Sequence, residues 1–250
     1  MSPAPFPARQ ISEAFLQLPP DDSLAIVFPG QGSQKVGMGE RLRYSSPAAA
    51  EVYELADEAL GTNLSDLCFG GPEDVLTHTA NAQPAILATS LAIFAAAIET
   101  GALGNRPAFV AGHSLGEYTA LVAAGALRPD EALRLVRQRG RLMAEAGAAH
   151  HGTLAAIVGL DSETAEGICR DSGAEVANYN APGQTVVGGT PATVERACAL
   201  ASKLTGDRCA DSAGAAGDER HLPCQVKHWS LPSVPYLRPA KWRPAQGCFA

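Results

Sequence analysis

Short apolar runs broken by glycine alternate with longer segments of helical period along most of the chain. Residues 24–28 form the first such run, closed by Pro29-Gly30, and read as a buried strand leading into a loop. Residues 51–60 have helical spacing, and 83–100 form an alanine- and leucine-rich helix stopped by Gly101. Residues 108–111 read as a second buried strand, broken by Gly112. Residues 115–124 follow as a helix closed by Gly125, and 129–146 as a helix opened by Pro129-Asp130. Strand, glycine turn and helix in succession predict an α/β fold with a parallel sheet.

Beyond residue 147 the order changes. A strand at 154–158, a helix at 162–171, strands at 175–179 and 185–187, and a helix at 191–204 give β-α-β-β-α. That is a ferredoxin-like split βαβ unit short of its last strand. The expected architecture is therefore an α/β-hydrolase-like parallel-sheet subdomain over 23–146 with an inserted ferredoxin-like small subdomain over 147–205. Residues 1–22 carry five prolines and no apolar run, and read as a loose leader rather than a signal sequence.

The composition shifts after Thr205. Both tryptophans, three of the six cysteines and five of the 18 prolines fall in the last 45 residues. Six cations (Arg208, Arg220, Lys227, Arg238, Lys241, Arg243) face four acids (Asp207, Asp211, Asp218, Glu219), whereas the body is strongly acidic. Residues 211–217 are alanine-, glycine- and serine-rich without periodicity. Residues 206–250 are expected to be a divergent, disordered tail, as foreign to the body as a shifted reading frame would make it.

The formal charge of −7 gives no support for nucleic-acid binding, which needs a basic face. The six cysteines show no C-x-x-C spacing, which argues against a metal site and a disulfide scaffold and for reduced thiols in a cytoplasmic setting. Residues 82–98 come nearest to a membrane span and read better as a core helix, so no membrane association is expected.

The chemistry centres on Gly112-His113-Ser114-Leu115-Gly116, between a predicted strand and a predicted helix. A serine on so tight a turn needs small residues two before and two after it. In return its hydroxyl is exposed at the sheet edge, beside helix-terminal amides that can stabilise an oxyanion. The same residues also fit a capping box, with Ser114 as N-cap and Glu117 at the third helical position. Read alone, the elbow fits a serine esterase or hydrolase. The glycine-rich loop Phe28-Pro29-Gly30-Gln31-Gly32-Ser33-Gln34 lacks the G-K-[ST] of a phosphate loop.

Together these two motifs resemble the hallmarks of the malonyl-CoA:acyl carrier protein transacylases and of polyketide-synthase acyltransferase domains. Gln83-Pro84-Ala85-Ile86 also matches, as do Val136-Arg137-Gln138-Arg139-Gly140-Arg141-Leu142-Met143 and Asn178-Tyr179-Asn180-Ala181-Pro182-Gly183-Gln184. The resemblance covers about residues 24–204. It implies a fatty-acid-synthesis enzyme in which Ser114 takes a malonyl group from malonyl-CoA and passes it to the phosphopantetheine thiol of acyl carrier protein, without a cofactor or metal. It further implies an oxyanion hole from the amides of Gln31 and Leu115, and a carboxylate-gripping Arg139. His113 is implied near the substrate and Asn180 in the cleft. Without the resemblance, Arg139 reads as one more cation on a solvent-facing basic helix with Arg134, Arg137 and Arg141.

The resemblance weakens at the base that a serine nucleophile requires. The family's histidine follows a Leu-Pro-Val-type strand in a Phe-His-Ser motif, whereas here Leu222-Pro223-Cys224 precedes Gln225-Val226-Lys227-His228-Trp229-Ser230. His228 and, less well placed, His221 are the candidates. The glutamine that orients the histidine belongs to a C-terminal section not found in this sequence. The atypical tail is expected to impair the enzyme, and an inactive chain that only docks acyl carrier protein is a further reading.

Overall fold

A computed structural model describes residues 7–205 and the backbone of 224–227. The chain divides into two compact units, Met1–Ala144 and Glu145–Ala250.

The first unit opens with a short 3-10 turn at Ala8–Gln10 and helix α1 (Ile11–Leu16), followed by strand β1 (Pro20–Phe28). This differs from the loose leader expected over 1–22: Ile11 and Phe15 are buried, and Phe15 stacks against Phe94 with ring centroids 5.0 Å apart. Two apolar anchors one turn apart suffice to fix a short helix that has little periodicity to advertise it.

Five helices follow: α2 (Glu40–Ser45), α3 (Pro47–Leu60), α4 (Leu64–Gly70), α5 (Glu73–Thr77) and α6 (Thr79–Glu99). Helix α3 starts where its sequence dictates. The Ser46 side chain accepts from the Ala49 N–H at 3.1 Å, Pro47 occupies the first turn, and left-handed Gly61 closes the C-terminus. Glu99, at the end of α6, accepts from the Ala48 N–H at 3.1 Å and so ties α6 to the positive end of α3. Helix α6 is apolar on almost every side and runs through the core. Among the described residues it is the one helix long and apolar enough to cross a membrane, and 83% of its most apolar window is buried inside the protein. Strand β2 (Arg106–Gly112), helix α7 (Gly116–Ala123) and helix α8 (Pro129–Ala149) follow.

Strands β1 and β2 pair in parallel, with Phe28 opposite Gly112. One face of this ribbon, with Ile26, Phe28 and Val110, packs on the core. The strands were expected to be buried on both faces, as in most parallel sheets. Instead Ala25, Val27, Phe109 and Ala111 are exposed, Val27 and Phe109 each at 72%. A groove of about 350 Å³, lined in part by Val27, Ile93, Phe94 and Leu103, lies alongside.

The second unit contains β3 (Thr153–Val158), α9 (Ser162–Ser172), β4 (Glu175–Ala181), β5 (Gln184–Gly189), α10 (Pro191–Thr205) and β6 (Cys224–Lys227). Helix α9 is capped by Asp161, which accepts from the Thr164 N–H at 2.8 Å, and is closed by left-handed Gly173. Pro182-Gly183 is a two-residue hairpin between β4 and β5, with Gly183 at φ 75°. The strands form an antiparallel sheet in the order β4-β5-β3-β6. The two helices pack on it through Ala165, Ile168, Val194, Ala197 and Ala201.

Two expectations need correction here. The sequence predicts a unit without its final strand, yet Cys224–Lys227 pairs antiparallel with Leu154 to Ile157 along the β3 edge. A four-residue strand inside an aperiodic, proline-rich stretch leaves no hydropathic signature. Cys198, expected to be a reduced thiol, is disulfide-bonded. Apart from β6, the expected disordered tail over 206–250 lies outside the described residues.

Candidate active site

The turn between β2 and α7 is built around Ser114, the one non-glycine residue with positive φ (53°) among those described. Left-handed backbone at a residue with a side chain is uncommon, and here it produces the sharp reversal from strand to helix. The flanking glycines are required by contact. A Cβ on Gly112 would stand 2.0 Å from the Gly116 carbonyl carbon, and one on Gly116 would stand 2.2 Å from the Phe28 oxygen. The Gly116 N–H donates to the His113 carbonyl at 2.9 Å and the His113 N–H to the Phe28 carbonyl at 3.3 Å, fixing the turn to the end of β1.

The capping-box reading does not hold. Residue Leu115 is the N-cap of α7, no side chain caps the helix, and the Ser114 hydroxyl is turned elsewhere. It accepts from Arg139 Nη2 at 3.0 Å. Arg139 is half-buried on α8, and its Nη1 donates to Gln83 Oε1 at 2.7 Å. Its guanidinium carbon lies 5.7 Å from the Tyr118 ring centroid, within range of a cation–π contact. Helix α8 approaches α6 closely at Gly140, where a Cβ would come within 2.6 Å of the Thr79 carbonyl oxygen.

The cations of α8 therefore differ from one another. Arg134 pairs with Asp130 at 2.9 Å on the surface. Arg137 donates to Asn81 Oδ1 at 2.6 Å, and burial lowers its pKa, with Arg141 adding to the shift. Only Arg139 among the described cations reaches the serine.

The loop after β1 lies against the elbow: a Cβ on Gly30 would stand 2.6 Å from the His113 carbonyl oxygen. Gln31 follows, half-buried, its Nε2 donating to Thr79 Oγ1 at 3.2 Å. Among the described residues neither the Gln31 nor the Leu115 backbone N–H has an acceptor. Ser114 and His113 are exposed, whereas the Leu115 side chain is fully buried.

The first unit thus brings together Ser114, His113, Leu115, Gln31 and Arg139. Asn180 belongs to the second unit, exposed at the end of β4, where its Oδ1 accepts from Asn178 Nδ2 at 2.6 Å. His221 and His228 lie outside the described residues. Among the described residues no three histidine, cysteine or acidic side chains cluster as a metal would require. Sequence reasoning assigned no role to Gln83 or Tyr118. For Gln83 a signal was present: a lone amide in an otherwise apolar stretch of α6.

Comparison with known proteins gives this geometry a context. Residues 25–214 match the acyl transferase domain family, so the match runs past residue 205. The malonyl CoA-acyl carrier protein transacylase of Bacillus subtilis is 48% identical over 185 residues, 72% of this chain and 57% of that protein. The solved transacylase of that name from Clostridium perfringens superposes with a TM-score of 0.72 at 33% identity, covering 83% of this chain and 61% of its own. A malonyl-transacylase solved in complex with its type II PKS acyl-carrier protein gives a TM-score of 0.70 at 38% identity, over 83% of this chain and 63% of that one. The chain therefore spans less than two thirds of the length of these relatives.

Proposed function

The chain belongs to the acyl transferase domain family, and on that premise we propose that Ser114 accepts a malonyl group from malonyl-CoA and yields it to the phosphopantetheine thiol of acyl carrier protein. The observation that carries this reading is the 3.0 Å hydrogen bond from Arg139 to a serine held at positive φ between strand and helix. A neutral ester pocket has no use for a cation beside the nucleophile, whereas a malonyl thioester brings a free carboxylate within its reach. That contact favours transacylase over esterase.

In the first half-reaction Ser114 Oγ attacks the thioester carbonyl carbon. The new C–O bond replaces the C–S bond, and coenzyme A leaves with the serine proton. In the second, the phosphopantetheine thiol attacks the acyl-serine and the hydroxyl is restored. The N–H groups of Gln31 and Leu115 would receive the charge that develops on the carbonyl oxygen; that neither has an acceptor among the described residues supports this role. His113 would border the substrate and Asn180 the cleft. The parallel ribbon with its elbow serves as the α/β-hydrolase-like part, and the β4-β5-β3-β6 sheet with two helices as a ferredoxin-like part. The setting of this reading is cytoplasmic fatty acid synthesis, which consumes malonyl groups carried on acyl carrier protein.

The reaction also needs a general base. The hydroxyl's hydrogen-bond partner among the described residues is a guanidinium, which is permanently protonated and cannot act as a base. His228 and His221 are the candidates, and loss of the base would leave a chain that docks acyl carrier protein without turning over. Incubation with malonyl-CoA followed by peptide mass spectrometry should place a malonyl ester on Ser114, absent from Ser114→Ala. Label persisting in the alanine variant, or none in either at long incubation, would remove the transacylase reading.

A further inference from the structure

Gln83 sits in the first half of α6, 0% exposed, amid side chains that are otherwise apolar. A buried amide must satisfy both of its ends, and this one does so with two groups of the same helix α8. Its Oε1 accepts from Arg139 Nη1 at 2.7 Å and its Nε2 donates to Met143 Sδ at 3.1 Å. The other arm of that guanidinium is the one that reaches Ser114, and the Tyr118 ring flanks it. An arginine stem has several rotors, so something must select the one orientation that lays Nη2 against the serine.

We propose that Gln83 is the positioning residue for Arg139, a neutral acceptor that fixes the guanidinium beside Ser114 without cancelling its charge, and so sets the preference for carboxylate-bearing acyl thioesters. This rests on the carboxylate-binding reading of Arg139 given above. The choice of amide over acid matters physically. A carboxylate at the same place would hold the guanidinium as well or better but would neutralise it, leaving a weaker site for a second carboxylate. An apolar side chain of the same length would leave the charge intact but free to swing.

The test is calorimetric binding of malonyl-CoA and acetyl-CoA to the full chain carrying Ser114→Ala, which prevents transfer. Adding Arg139→Ala should abolish the preference for malonyl-CoA. Adding Gln83→Met should weaken malonyl-CoA roughly tenfold or more, while acetyl-CoA changes by no more than about twofold. Gln83→Glu should lose the preference as fully, although it retains an acceptor and should melt near the parent temperature. A merely structural glutamine would lower both affinities alike and track the melting temperature, which would overturn the proposal. Preference lost in Arg139→Ala but kept in both Gln83 variants overturns the positioning role alone. Preference unchanged in Arg139→Ala, or no malonyl-CoA binding by the Ser114→Ala parent, overturns the carboxylate reading and this proposal with it.

Discussion

At Ser114 the backbone and the hydroxyl answer to different requirements. The hydroxyl is what the chemistry needs, but a φ of 53° is what the turn needs, and a residue with a Cβ resists it. The two can be separated by substitution. Ser114→Ala removes the hydroxyl and keeps the strain, whereas Ser114→Gly removes both. The glycine variant should unfold at higher denaturant than the alanine variant, by about 1 kcal/mol, even though both are without acyl acceptance. The reverse order in urea titrations would mean that the turn relaxes to ordinary φ in solution. This strain was legible in advance because G-x-S-x-G between strand and helix implies it. The partners of the side chain were not: the sequence offered Glu117 and a capped helix, while the fold delivers Arg139 from a helix 25 residues on. A row of four arginines looks uniform until tertiary packing gives each a different neighbour.

Elements announced by apolar periodicity appear where they were expected, with ends shifted by a few residues. Strand β1 begins at Pro20 rather than 24 because Pro20 and Asp21 pair with Arg106 and Pro107, a register that hydropathy does not encode. Helices α1, α2, α4 and α5 are too short for a window of helical period to detect; α1, α4 and α5 are fixed by buried anchors such as Phe15, Leu64 and Leu76, and α2, which buries no residue fully, by half-buried Leu42. The β1–β2 ribbon is where local pattern and structure part most clearly. Its sequence is apolar on both faces, which is what a parallel strand buried between two layers requires, yet among the described residues only one face is packed. Exposed apolar side chains on a sheet favour association between molecules. Val27→Lys combined with Phe109→Lys should raise the soluble concentration and reduce binding of an apolar fluorescent dye. Since both positions are largely exposed, the change in stability should stay within about 0.5 kcal/mol. A cooperative collapse of the fold in the double variant would show that those side chains are covered in solution.

Over the whole molecule, the βα order gives way to β-α-β-β-α at about residue 147, near the boundary between the compact units Met1–Ala144 and Glu145–Ala250. The final strand was not visible, because it sits in a stretch whose charge and composition differ from everything before it. The parallel pairing carries one more consequence, for the order in which the molecule assembles. Phe28 and Gly112 are neighbours across the ribbon but 84 positions apart in the chain, with five helices between them, counting the short ones. Helices such as α3 and α6 can form from contacts close in sequence, whereas the elbow needs β1 and β2 in register before Gly116 can seat against Phe28. Closing so long a loop costs entropy that nearby contacts do not repay until it is complete. The nucleophile should therefore be a late arrival: in refolding followed by two probes, helical circular dichroism should recover before the malonylation of Ser114 by malonyl-CoA. Simultaneous recovery of both signals would place ribbon closure at the start of folding instead.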